Sequence, residues 1–143
     1  MSYNPWAAIA PFDVVVAIRR LPSGRGWWVP EERMILIDDR QDAVGRRCTL
    51  AHELEHVLAG DSACGAGMEW FDRRQEHLAD VRAARKLIPL EALVDANLWG
   101  RYPGELADEL RVDDDILRVR IHDLTEQERA LIDGRLEAQG GAA

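Results

Sequence analysis

His52-Glu53-Leu54-Glu55-His56 is the stretch on which the reading of this chain turns. Histidines four apart lie on one face of a helix, so two imidazoles can grip a metal ion from the same side. The glutamate after the first histidine lies about 100° further round, within reach of a water at that ion. The surroundings read as a helix from about residue 43 to Ala59, with Leu50, Leu54, Val57 and Leu58 at helical spacing and Gly60 as the stop. The apolar stripe is expected to enter the core while His52, Glu53 and His56 line a cleft. As a bare pentapeptide the pattern also fits the exposed polar face of an ordinary amphipathic helix.

A second helix is expected from near Asp72, where Asp72 and Gln75 have capping-box spacing, to Ile88 before Pro89. On it Glu76, Asp80, Ala83 and Leu87 share a face with Ala79 alongside, and small alanines let two helices approach closely. A catalytic zinc takes three protein ligands and keeps one position open. His52 and His56 supply two, and Glu76 is the choice for the third, with Asp72, Glu69 and His77 as alternatives. Asp80, one turn beyond Glu76, is then placed to accept a hydrogen bond from the outer nitrogen of a ligating histidine, which fixes its tautomer. Glu53 is the expected general base for attack of water on a peptide carbonyl.

Outward from these helices, residues 13 to 19 and Arg33 to Asp38 read as strands, and Trp27-Trp28-Val29 as a returning hairpin arm after the turn Pro22 to Gly26. The expectation is a small antiparallel meander. From Leu90 to about Glu137 three or four short helices follow, one opened by Pro103, one capped at Asp113 to Asp115, and one started by the capping box Thr125 to Glu128. The fold class is thus α+β, with residues 1–143 as one domain: 1–89 sheet plus metal-site helices, 90–139 a helical extension, 140–143 a frayed tail.

The 143 residues carry a net charge of −8, with 47% hydrophobic and 31% charged residues. That composition is of an ordinary globular chain, and the acidity argues against a general nucleic-acid or anionic-membrane binder. No apolar run is long enough to span a bilayer, and Met1 to Trp6 lack the features of a secretory signal, so a cytoplasmic location is expected. Cys48 and Cys64 form no C-x-x-C pair and read as free thiols. Of five tryptophans, adjacent Trp27 and Trp28 must face opposite ways in a strand, one to the core and one to the cleft border. Residues 105 to 121 have a helix-turn-helix look, but three aspartates offset Arg118 and Arg120, which favours packing or a substrate platform over DNA reading. Tyr102 and His122 are candidates for stabilising an oxyanion.

Thr49 to Leu58, followed by Glu76-His77-Leu78-Ala79-Asp80 and Ala83 to Pro89, resembles the ImmA/IrrE metallopeptidases. There T-L-A-H-E-L-x-H precedes a Glu-x-x-Ala-Asp/Asn segment that ends in a proline. The resemblance covers roughly residues 33 to 89. It implies a zincin-like fold in which His52, His56 and Glu76 bind one zinc ion and Glu53 is the catalytic base. It also implies an endopeptidase whose protein substrate is a helix-turn-helix repressor of a phage, mobile element or stress response. Glu55 departs from the family, which usually has Gly there, and is expected at the cleft rim, where a carboxylate would alter substrate choice or metal affinity. The alternative function is a non-catalytic, metal-containing regulatory module that docks to a partner protein.

Overall fold

A computed structural model describes residues 2–62, 69–99 and 103–140. Asn4 opens α1 (Pro5–Ile9), its side chain accepting from the backbone N–H of Trp6 at 3.0 Å and of Ala7 at 3.4 Å; the sequence reading had no helix here. Three strands follow: β1 (Val15–Arg19), β2 (Gly26–Val29) and β3 (Met34–Asp38), with a 3-10 turn over Pro30–Glu32.

The strands fall close to the stretches expected for them, but the sheet is mixed rather than antiparallel. Its order is β1-β3-β2. β1 runs parallel to β3 with Val16 opposite Ile35, and β2 runs antiparallel to β3 with Trp28 opposite that same Ile35. The reason lies in residues 20 to 25, which do not fold back as a tight hairpin. Leu21 is buried, and its backbone N–H donates to Asp38 Oδ1 at 2.9 Å. Arg40 then donates to Asp38 Oδ2 at 2.8 Å and to the Leu21 carbonyl at 3.0 Å. The chain is thereby carried over the end of β3, and β2 forms on its far side.

The inner face of the sheet packs Trp28, Ile35 and Ile37 against Ile9 and against Leu50 and Leu54 of α2 (Ala43–Ala59). The other side of α2, through Cys48 and Ala51, meets α3 (Glu69–Leu87) and a second core. α2 is therefore enclosed on two sides. Two expectations change as a result: Leu58 stays 46% exposed, and Glu55 is buried. α3 begins at Glu69, so Asp72 and Gln75 lie inside the helix and do not form its cap.

Four more helices complete the fold: α4 (Leu90–Trp99), α5 (Pro103–Leu110), α6 (Asp114–His122) and α7 (Glu126–Gly140). Asp113 caps α6 by accepting from the Ile116 N–H at 2.9 Å. Thr125 and Glu128 form the reciprocal capping box, both bonds at 3.0 Å. The segment with a helix-turn-helix look packs inward through Ala107, Val112, Ile116 and Leu117. The two arginines of α6 are engaged: Arg118 pairs with Asp115 at 3.1 Å, and buried Arg120 donates to the Ile88 carbonyl at 2.8 Å. No helix among the described residues is long and apolar enough to cross a membrane. Cys64, Tyr102, the side chains of Glu69, Trp70 and Trp99, and the end of the tail from residue 141 lie outside the described residues.

Candidate metal centre

α2 is fixed at both ends. Asp42 caps its start, accepting from the Gly45 N–H at 2.8 Å. At its end Gly60 adopts a left-handed conformation with φ 69°, its N–H bonding the Val57 carbonyl at 3.2 Å, while the Asp61 N–H bonds the His56 carbonyl at 3.0 Å. This paired closure is the Schellman motif, which folds the second residue past the helix back over its last turn.

Between these caps His52 and His56 project toward α3. Their Nε2 atoms are 3.2 Å apart. Glu76 reaches both, with Oε2 at 2.9 Å from His52 Nε2 and Oε1 at 2.9 Å from His56 Nε2. The three groups offer donor atoms that all lie within 4.8 Å of one another. Bonds of about 2.0–2.1 Å to a tetrahedral zinc set neighbouring donors roughly 3.3 Å apart, so the spacing suits such an ion after a slight expansion. Of the alternative third ligands, His77 is exposed, and neither it nor Asp72 belongs to this group.

Behind each imidazole stands a carboxylate. Asp80 Oδ1 is 2.7 Å from His52 Nδ1, and Asp61 Oδ2 is 2.9 Å from His56 Nδ1. A neutral imidazole that donates Nδ1–H to a carboxylate presents a bare Nε2, the form a metal requires. Asp61 was missed from the sequence. A signal was there: glycine just past a helix puts the residue after it over His56. The Asp61 carbonyl also accepts from the Trp28 indole N–H at 3.2 Å, which ties the sheet to the backbone at this residue.

The field of these acids is strong. Burial opposes a charge on His52, yet the hydrogen bonds of Asp80 and Glu76 outweigh it and raise its pKa to about 10. His56 is also raised: burial acts downward, but Glu76 and Asp61 prevail. The same carboxylates hold protons on these rings, so a metal ion would have to displace those protons to reach the bare Nε2 atoms. Glu53 is buried beside the histidines, and burial pushes its carboxyl pKa up while their charges hold it down.

The strand facing α2 comes close because Gly26 has no side chain. A Cβ there would stand 2.5 Å from Thr49 Cγ2 and 3.2 Å from Glu53 Cγ. Two cavities flank Glu53 and Glu76. One, of about 500 Å³, runs past His52 and Asp80 to Arg25, Asp113 and Asp115. The other, of about 390 Å³, lies by His56 and is walled by Trp27, Trp28 and Val29. Trp28 joins the core while Trp27 is 40% exposed at the cleft wall. His122 is exposed at the C-terminal end of α6, beyond the residues of that helix that line the larger cavity.

Residues 12–122, from just before β1 to the end of α6, match the family described as Peptidase_M78, IrrE N-terminal-like domain. No curated protein matches the chain.

Proposed function

The chain belongs to the Peptidase_M78 family of IrrE N-terminal-like domains, a metallopeptidase family, and from that premise we propose that it is a zinc-dependent endopeptidase. The observation that carries this reading is the facing of two carboxylate-backed imidazoles and Glu76 across 2.9–3.2 Å, with buried Glu53 beside them. His52, His56 and Glu76 would hold one zinc ion, Asp80 and Asp61 would orient the imidazoles, and residues 1–143 would act as one cytoplasmic unit. When bound, zinc supplies Lewis-acid polarisation of a carbonyl and lowers the pKa of water to about 7.

The remaining steps belong to the chain. Glu53 takes the proton from the water that attacks the peptide carbonyl carbon. It then delivers that proton to the amide nitrogen as the carbon–nitrogen bond breaks, releasing an amine. β2 lies at the sheet edge next to α2, where an extended substrate can align by main-chain pairing, with Trp27 on the cleft wall beside it. The substrate we propose is a protein, specifically a helix-turn-helix repressor of a phage, mobile element or stress response.

The test compares zinc-loaded wild type with Glu53→Gln on candidate repressors and on host lysate, mapping new peptide termini. The expected outcome is metal-dependent cleavage that falls by about 10²–10⁴-fold in Glu53→Gln while zinc content is retained. Equal cleavage by both proteins would remove Glu53 from its role. Partner regulation that persists in both without any new termini would favour a docking module.

A further inference from the structure

Glu55 takes no part in the chemistry above, yet it is one of the most buried acids in the protein, at 4% exposure. It leaves α2 on a flank about 60–100° round the helix from His52 and His56. There Lys86 of α3 sets its ammonium against Glu55 Oε1. On the other flank, Glu76 of the same α3 reaches the two histidines. Cys48 and Ala51 of α2 share one buried cluster with Ala83, Ala84 and Leu87 of α3.

Small residues predominate in that cluster, with Leu87 the large side chain from α3, so the helices come close with few ridges to set their register. The crossing is therefore held from its two sides, by the histidine–Glu76 group on one and by the Glu55–Lys86 pair on the other. The pair is buried at one end only, the Lys86 side chain being 41% exposed and that of Glu55 4%, so loss of the lysine leaves a carboxylate buried without its partner.

We propose that Glu55 and Lys86 are positioning residues, an ion-pair staple that sets the register of α3 on α2 and so the placement of Glu76 against His52 and His56. This rests on the reading of those three residues as a zinc site.

The experiment measures zinc affinity by chelator competition, together with the Tm of the metal-free protein. It compares wild type, Lys86→Arg, Lys86→Met and the double variant Glu55→Gln/Lys86→Met. Lys86→Arg keeps the charge and is expected to bind zinc within about threefold of wild type. Lys86→Met is expected to weaken zinc binding by about 10–100-fold, the range seen when groups behind metal ligands are removed. The double variant removes both charges, so its Tm should recover while its zinc affinity stays low. It also carries the test should Lys86→Met fail to fold. Zinc affinity within twofold of wild type in the double variant, whatever its Tm, overturns the staple and leaves the metal site standing. Absence of zinc binding by the wild type itself overturns both.

Discussion

His56 is gripped from behind by one residue in two ways: the Asp61 N–H bonds its carbonyl at 3.0 Å and the Asp61 carboxylate its ring at 2.9 Å. The backbone bond needs no side chain, so Asp61→Ala should leave the helix end formed while freeing the ring. We expect zinc affinity to fall by about 10–100-fold in this variant, measured by chelator competition. Unchanged affinity would mean that His56 is oriented by packing alone. The side chains at the centre were legible because helical spacing converts directly into a shared face, and His52, His56 and Glu76 do meet. Glu55 was not legible. Periodicity places a residue on a flank but cannot say whether water or another helix lies there, and here α3 does, bringing Lys86 with it.

At the scale of elements, the fit of β2 on α2 depends on Gly26. Gly26→Ala would put a methyl 2.5 Å from Thr49 Cγ2, with the Leu36 carbonyl oxygen at 3.1 Å and Glu53 Cγ at 3.2 Å leaving little room to yield. Overpacking of this kind costs about 1–3 kcal/mol, which urea unfolding would register, and cleavage should fall further because Glu53 is displaced. A variant of wild-type stability and activity would show that β2 can retreat without cost. Each strand and both site helices were readable from local pattern, including the stop at Gly60. Strand pairing was not. Alternation identifies which residues face the core, but the partner of β1 is decided by Asp38 capturing Leu21, a contact across 17 residues that no local pattern encodes.

Across the whole molecule, two carboxylates far apart in sequence, Asp38 and Glu128, are held below the usual carboxylate range and so tie stability to pH on the acid side. The hydrogen bond from Arg40, with that from the Leu21 N–H, lowers the Asp38 pKa to about 2. The Thr125 N–H, with Arg85 and Arg120, lowers that of Glu128 to about 2. Both folded values lie below the unfolded values of about 3.9 and 4.3, so their contribution is complete above those values and is lost as pH falls toward 2. Calorimetry should show Tm declining from about pH 5 to pH 2. Asp38→Asn and Glu128→Gln should each lower Tm at pH 7 and flatten that decline; a decline of wild-type steepness in both would assign acid sensitivity to other groups.

The bond between the Trp28 indole and the Asp61 carbonyl also bears on the order in which the molecule is built. It joins residues 33 apart, while the His52–Glu76 contact joins residues 24 apart. During synthesis the strands emerge first, α2 next, and Glu76 only afterward. A nascent chain ending within α2 holds both imidazoles but neither Asp61, which backs the His56 ring, nor Glu76, which faces both rings. On the proposed reading, the three-ligand site is complete only once α3 has been made, so a chain truncated before Glu76 should bind zinc far more weakly than the full one.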